Sequence, residues 1–473
     1  MTATEPAAAV SAPQVIRHPR RLHPLLIMLG VLLLAVALTH VIPSGQFERH
    51  ARQVVPGSYH IVAKSAGPGV LLAATAPTAG DRPARAAGLV ALLAAIPAGM
   101  IASAGLIFMV LFFGGLFGVL RGTGAIDAGV DRLMYFTSGN VYLLTLALML
   151  MLALGSTFLG LYSEYLVIIP LVALVGQRLG LPNLFSVAVV IVGARIGYAA
   201  SVTNPVALAV AQPLAGVPVF SGLGERLAIF LAMLVPGIGY VLLYLRRSPR
   251  ARYVPPHAAR LPLHQVAVLV CLVLGGVAVL VATRLWSWSN VQLSGAFIGL
   301  SVLLAVAGRL RAEAAADAFV EGMKSMLLAG LLIGLAGAVE VILESSQVLD
   351  TLIDGITRLV QGHAPGLVAA GVMVAEMALD VFIPSVSGKA AISMPILAPV
   401  AHLSGLSGQM TVTAFLMGGG LTNLVTPTSG ILMAYLAAAR VGYGEWIRFV
   451  GPLFGLLCAV GFTSLFILTA LGF

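Results

Sequence analysis

The chain has 473 residues, of which 59% are hydrophobic and only 9% charged, with a mean hydropathy of +1.03. Soluble domains carry about 25% charged residues, so this composition excludes a soluble enzyme and a disordered chain. The net charge of +9 would suit a nucleic-acid partner, but its placement marks membrane topology instead.

In chain order, residues 1–22 read as a cytoplasmic tail carrying Arg17, Arg20 and Arg21. Residues 23–87 follow as a first transmembrane helix, 24–42, and an external polar loop, 43–86, long enough for a small hairpin and too short for a catalytic domain. The first apolar run ends in Thr39-His40-Val41-Ile42-Pro43 without a cleavage site, so it reads as a retained span and not a signal peptide. Residues 88–102 are apolar but broken by Pro97 and Gly99, the pattern of a half-helix or an interfacial piece. Apolar runs of about 20 residues suffice to cross a hydrocarbon core about 30 Å thick. They recur at 104–120, 228–245, 264–282 and 452–471. Residues 247–315 form a basic loop, with Arg250, Arg252 and Arg260 after Arg246 and Arg247, and then linking helices. Trp286 and Trp288 fall between those helices, where an interfacial aromatic belt is expected. With Arg309 and Arg311 the basic clusters share one side, and the positive-inside rule puts that side and the N-terminus in the cytoplasm. The expectation is a multi-pass protein of the cell inner (cytoplasmic) membrane. Cys271 and Cys458 lie in apolar runs, far from anything that would make a disulfide or metal framework.

The two halves of the chain match. An apolar block at 141–178 is interrupted at Gly160-Leu161-Tyr162-Ser163-Glu164, and one at 365–402 at Pro384-Ser385-Val386-Ser387-Gly388-Lys389. Glu164 and Lys389 each precede a proline, Pro170 and Pro395, by six positions, and the two tips stand 225 residues apart. Gly180-Leu181 and Gly405-Leu406 keep the same spacing. Each block is followed by a helix broken in its middle, 183–214 in one half and 409–439 in the other. There Gly197 pairs with Gly419 and Pro205 with Pro427, both 222 residues apart, and Asp127 recurs roughly as Asp350. The reading is two repeats, 88–246 and 316–473, the first starting outside and the second inside, hence inverted. Inverted repeats with paired broken helices are a secondary-transporter pattern that puts substrate and coupling ion near the bilayer midplane.

An unwound membrane helix leaves backbone groups unpaired, at a cost of several kcal/mol each in hydrocarbon, so polar residues or ligands must satisfy them. Ser201, Thr203 and Asn204 fill the first break, and Thr422, Asn423, Thr426, Thr428 and Ser429 the second. Half-helices starting after Pro205 and Pro427 would aim positive dipole ends at an anion, while the amide oxygens of Asn204 and Asn423 and unwound carbonyls suit Na⁺. Simple interhelical hydrogen bonding explains any one of these residues but not their clustering. Ionisable residues at membrane depth are functional by default. Here they are Glu164, Arg195, Asp380 and Lys389, with Glu376 and Glu340 as further candidates. Asp380 can pair with Lys389 across the second hairpin. Arg195 can clamp a carboxylate bidentately or close the first hairpin by pairing with Glu164. Ser163, Ser385 and Ser387 add hydroxyls at the tips.

These segments resemble the C4-dicarboxylate anaerobic carrier family, in its YfcC-type branch, over roughly residues 24–471. The stretches that carry the resemblance are Ile42-Pro43-Ser44-Gly45-Gln46-Phe47-Glu48-Arg49, Gly124-Ala125-Ile126-Asp127-Ala128-Gly129, Thr203-Asn204-Pro205 and Pro218-Val219-Phe220-Ser221-Gly222. Ile383-Pro384-Ser385-Val386-Ser387-Gly388, Pro395-Ile396-Leu397-Ala398-Pro399 and Thr422-Asn423-Leu424-Val425-Thr426-Pro427-Thr428-Ser429-Gly430 complete it. The resemblance implies the ion-transporter superfamily fold. That is an all-α polytopic membrane protein with a scaffold and a mobile domain, two re-entrant hairpins, an elevator movement and a homodimer. It further implies a carboxylate or basic amino-acid substrate. The residues themselves add the expectation of no cofactor and of Na⁺ or H⁺ as coupling ion, with Glu164, Asp380, Asn204 and Asn423 as coupling residues and a candidate Na⁺ position near Asn204. The chain departs from the family pattern where Lys389 stands for a neutral amide, Asp380 for an asparagine and Arg195 for a small residue. A tethered ammonium at such a tip can take the place of a bound cation.

The leading expectation is a secondary transporter of small carboxylates, with basic amino-acid exchange using Glu164, Asp380 and Glu376 as the alternative. No HExxH or nucleophile–base arrangement favours an enzyme, and paired tips with charges suit occlusion better than an open channel.

Overall fold

The computed structural model describes residues 24–50, 53–55, 57–65, 70, 84–125, 128–129, 132, 140–248, 262–286, 288–360, 362–383 and 385–473. The tail at 1–22, Asp127, Arg250, Arg252, Arg260, Pro384 and the side chain of Ser387 lie outside that description. Among the described residues, eight helical spans are long and apolar enough to cross a membrane. Helix is what hydrocarbon demands, because it satisfies every backbone group within its own segment.

The first helix, α1 (Pro24–Val41), leads into a segment tied by two-residue strands. They are β1 (Gly45–Gln46), β2 (Arg49–His50), β3 (Gln53–Val54), β4 (His60–Ile61), β5 (Lys64–Ser65) and β6 (Ala84–Arg85). The first pairs antiparallel with the fourth and β2 with β3, while β5 and β6 run parallel. Within this polar loop β2 and β3 pair Arg49 with Val54 and His50 with Gln53. Next come α2 (Leu89–Ala102) and α3 (Ala104–Gly122), parted at Ser103.

The interrupted block at 141–178 folds as α4 (Val141–Leu159), a 3₁₀ turn at Ser163–Val167 and α5 (Ile168–Arg178). Asn140 caps α4 by accepting from the backbone N–H groups of Tyr142 and Leu143. The broken helix is α6 (Leu184–Ala200) and α7 (Pro205–Leu214), with proline in the first turn of α7, where its missing N–H costs nothing. Then α8 (Leu223–Arg247), α9 (Leu263–Leu285) and α10 (Asn290–Ala307) follow, the last opened by a capping box of Ser289 and Gln292.

The second half gives α11 (Ala312–Ser325) and α12 (Leu327–Ser345), parted at Met326, and the amphipathic α13 (Leu349–Val360). The second interrupted block is α14 (Pro365–Phe382) and α15 (Val386–Leu403), and its broken helix is α16 (Gly408–Thr422) and α17 (Gly430–Ala438). The chain closes with α18 (Tyr443–Ala470).

Two packing centres result. In one, α2 lies on α12 and α3 on α11, with α1 and α10 alongside. A Cβ at Gly114 would stand 2.6 Å from the Gly322 carbonyl oxygen, and one at Gly337 2.8 Å from that of Gly99, so these helices touch backbone to backbone. Gly99 and Gly322 are 223 residues apart, as are Gly114 and Gly337. In the other centre α6 and α16 pack together, flanked by α4 and α14 respectively. All of α6 is buried, as is α16 from Met410 onward, which makes the broken helices the interior of this part of the molecule.

Candidate functional site

Both breaks are anchored before any ligand is considered. At the first, Ser201 adopts a left-handed conformation (φ 42°) and donates its hydroxyl to the Tyr198 carbonyl. Asn204 accepts through Oδ1 from the N–H groups of Val206 (3.1 Å) and Ala207 (3.4 Å), capping α7, and donates from Nδ2 to Ser201 Oγ at 3.1 Å. The unwound backbone docks on the end of α4: Val202 N–H donates to Thr157 Oγ1 at 3.0 Å, and Thr203 N–H to the Thr157 carbonyl at 3.1 Å. Thr203 Oγ1 donates to the Phe158 carbonyl at 3.0 Å. Gly160 ends α4 with φ 65°, and a Cβ there would stand 2.1 Å from Asn204 Oδ1, so this turn needs glycine for both its conformation and its space.

The second break is satisfied differently. Thr422 Oγ1 donates to the Gly418 carbonyl at 2.9 Å, and the hydroxyls of Thr426 and Thr428 meet at 2.7 Å. Trp446 Nε1 donates to the Leu424 carbonyl at 2.8 Å, and Tyr443 Oη to that of Val425, so α18 supplies the missing partners. The half-helix starts at Gly430, capped by Ser429, and not directly after Pro427; the turn through the threonine pair delays it by one short loop.

The two breaks converge. A Cβ on Gly420 would stand 2.6 Å from Ala199 Cα, so α16 reaches the backbone of α6 only because that residue is glycine. Across the junction Arg195 donates from Nη2 to Asn423 Oδ1 (3.4 Å) and to Ser429 Oγ (3.3 Å), and its guanidinium lies 3.7 Å from the centroid of the Tyr162 ring. Tyr162 belongs to the first tip; its carbonyl accepts from Tyr435 Oη, and its own hydroxyl lies 3.5 Å from Ser429 Oγ. Arg195 Nε is buried with no hydrogen-bond partner among the described residues. Glu164, half-buried at the same tip, accepts from the Tyr162 N–H at 2.9 Å and from Ser163 Oγ at 3.3 Å.

The second tip holds the remaining charges. Lys389 Nζ donates to Asp380 Oδ1 at 2.7 Å and stands 3.5 Å from Glu376 Oε2, all three at most 1% exposed. Asn423 Nδ2 donates to Asp380 Oδ2 and to the Gly419 carbonyl, which links this cluster to Arg195. The expected Asp380–Lys389 pair is therefore present, and Arg195 is turned toward the second break. Ser385 caps α15 through Gly388 N–H at 3.3 Å. Glu340, on α12, is half-buried.

Sequence reasoning missed several partners: Tyr162 and Tyr435, Trp446 and Tyr443, and the buried Arg226. Arg226 reaches the first break from outside, donating to the Val202 carbonyl at 3.4 Å, to Gln409 Oε1 at 3.2 Å and to the Ser221 carbonyl. Its signal was slight, an arginine beside Glu225 just ahead of the apolar run at 228–245. A cavity of about 250 Å³ lies between α3, α5 and the end of α17, with Arg121, Gln177, Asn183 and Arg440 on its wall.

A family profile described as C4-dicarboxylate anaerobic carrier matches residues 23–470. Over 382 residues, 75% of this chain and 75% of the relative, the chain is 30% identical to a protein of Escherichia coli (strain K12) named "Putative basic amino acid antiporter YfcC". It is 26% identical over 390 residues to an uncharacterized protein of Haemophilus influenzae, covering 77% of this chain and 75% of that one. Among solved structures it is similar to the Alcanivorax borkumensis YdaH transporter, at 19% identity and a TM-score of 0.43, over 95% of this chain and 99% of that chain.

Proposed function

The chain belongs to the C4-dicarboxylate anaerobic carrier family, and on that premise we propose that this membrane transporter carries small carboxylates, C4-dicarboxylates or short monocarboxylates, as a secondary active transporter. The observation that carries the reading is Arg195: a buried guanidinium at the meeting point of two broken helices, with a donor left over. Burying an unpaired donor costs about 1–3 kcal/mol, and a carboxylate is the partner whose geometry a guanidinium fork fits best. Asn423, Ser429 and Tyr162 surround that position with further donors and acceptors.

The mechanism we propose is an elevator built from two inverted repeats. The glycine contacts at a 223-residue spacing support it, because a two-fold relation between halves turns the Gly114–Gly322 contact into Gly337–Gly99. So do the hairpin-like pairs α4–α5 and α14–α15, which lie beside the broken helices. The family setting further suggests a homodimer in the cell inner membrane, with the N-terminus cytoplasmic.

Lys389 occupies the space between Asp380 and Glu376 where a coupling cation would have to sit, so Na⁺ is not needed at this second site and H⁺ coupling or exchange replaces it. The test is uptake of labelled succinate and of labelled acetate into proteoliposomes, with and without a Na⁺ gradient. Competition by carboxylates and indifference to Na⁺ are expected. A second reading, exchange of basic amino acids, draws on the name of the E. coli relative and on the acidic pair at the second tip; inhibition by arginine and ornithine with none by carboxylates would establish it instead.

A further inference from the structure

Glu376 is buried on α14 with no close, well-aligned hydrogen bond to either carboxylate oxygen; Lys389 and the Ser393 hydroxyl are the polar groups within its reach. The ammonium beside it spends its short bond on Asp380 at 2.7 Å and stands 3.5 Å from Glu376. The groups acting on Glu376 are Lys389 and Ser393 from α15 and Asp380 one helical turn along its own helix; from α16 it meets Gly418, which has no side chain. On the other helices packed against α14, Asp350 and Asp354 of α13 are engaged by Arg49 and Arg358, the charged Glu445 and Arg448 of α18 stand in its first turns, and α12 carries the half-buried Glu340 and the exposed Glu344 toward its end. Ser393 Oγ, likewise buried, faces the Glu376 carboxylate.

The charge arithmetic of this junction decides what Glu376 can do. Arg195 and Lys389 bring two positive charges, Asp380 and Glu376 two negative ones. With all four ionised, this group is neutral, and the half-buried Glu164 and the buried Arg226 at the first tip and break add one further charge of each sign. A carboxylate arriving on Arg195 adds one negative charge, and an uncompensated charge in such a setting costs several kcal/mol. The link is physical: Arg195 bonds Asn423, and Asn423 bonds Asp380, which competes with Glu376 for the same ammonium.

We propose that Glu376 is the proton-binding residue of the transport cycle, taking up one proton when a carboxylate engages Arg195 and releasing it when the carboxylate leaves. The step is an acid–base one: Glu376 goes from carboxylate to carboxylic acid, the proton coming from water on whichever side the site faces, and the neutral acid then donates to Ser393 Oγ. A monocarboxylate crosses with no net charge. The inference rests on the reading of Arg195 as a carboxylate clamp.

The experiment follows proton uptake by the purified protein in weak buffer with a pH dye, on addition of acetate or succinate. The wild type is expected to take up about one proton per bound anion, and its affinity for the anion to rise by up to about tenfold per unit fall in pH, as reciprocal linkage requires. Glu376→Gln, fixed in the neutral form, is expected to bind with an affinity flat in pH and to take up no proton, while Glu376→Asp keeps the uptake. Uptake that persists in Glu376→Gln, or is absent in a wild type that binds, overturns the assignment to Glu376. Failure of the wild type to bind either anion, or binding untouched in Arg195→Gln, refutes the clamp reading itself and the proposal with it.

Discussion

Lys389 sits where a cation-binding protein would keep an open cage, with carboxylates of Asp380 and Glu376 on either side and Asn423 behind the first. Removing one partner of a buried ion pair costs about 3–5 kcal/mol, because the other is left uncompensated. Lys389→Gln leaves two carboxylates in one pocket, which a small cation can satisfy. The variant is expected to melt lower than the wild type in Na⁺-free buffer and to be restored by Na⁺ but not by choline, since a ligand of the folded state raises the melting temperature by mass action. A wild type stabilised by Na⁺ as strongly as the variant would contradict the tethered-cation reading. Asp380 and Lys389 were readable as a pair because nine residues separate them across one turn. Tyr162 was not readable as a partner of Ser429 or Tyr435, which lie 267 and 273 residues away in the other half. Local spacing predicts local pairs; it is silent about which aromatic face a guanidinium meets after the halves fold together.

At the scale of elements, the places where helices stop were legible, because glycine, proline and hydroxyl residues interrupt otherwise apolar runs there. What satisfies the interrupted backbone was not. The first break rests on Thr157 and Phe158 of α4, 45 residues back along the chain, and the second takes its donors from α18, whose Trp446, 22 residues on from Leu424, reads in sequence as one more apolar residue. That bond gives a prediction. Trp446→Phe keeps most of the buried ring and deletes the donor to the Leu424 carbonyl, which should destabilise the protein by about 1–3 kcal/mol and loosen the Asn423–Ser429 stretch. Thermal melting in detergent reads the first effect and anion affinity the second, both lower than in the wild type. A variant with unchanged melting temperature would mean that the carbonyl finds another donor.

For the whole molecule, the scarcity of charge separates two roles. Many basic residues stand at helix ends or between helices, while Arg195, Lys389, Asp380 and Glu376 are buried at or beside the broken helices. The segment that follows α1 ties the parts together in a way composition could not foretell. Ser44 Oγ donates to the Ser346 carbonyl at 2.6 Å, Phe47 N–H to Asp350 Oδ2 at 3.0 Å, and Arg49 pairs with Asp350 at 2.7 Å. The Phe47 ring joins Ile353, Leu379 and Ile396 in one apolar cluster, so a segment leaving α1 grips both arms of the second hairpin. If α14 and α15 travel relative to α1 during transport, this grip must release in every cycle. Cysteines at Phe47 and Ile396, in a background with Cys271 and Cys458 replaced by serine, joined by a short thiol-specific cross-linker, are then expected to stop uptake almost completely. Each single-cysteine protein treated alike should stay active, and a cleavable linker should restore uptake on reduction. Transport that survives an intact cross-link would mean that the hairpin and the segment after α1 move as one body, with the sliding surface instead at the contact of α12 with α17.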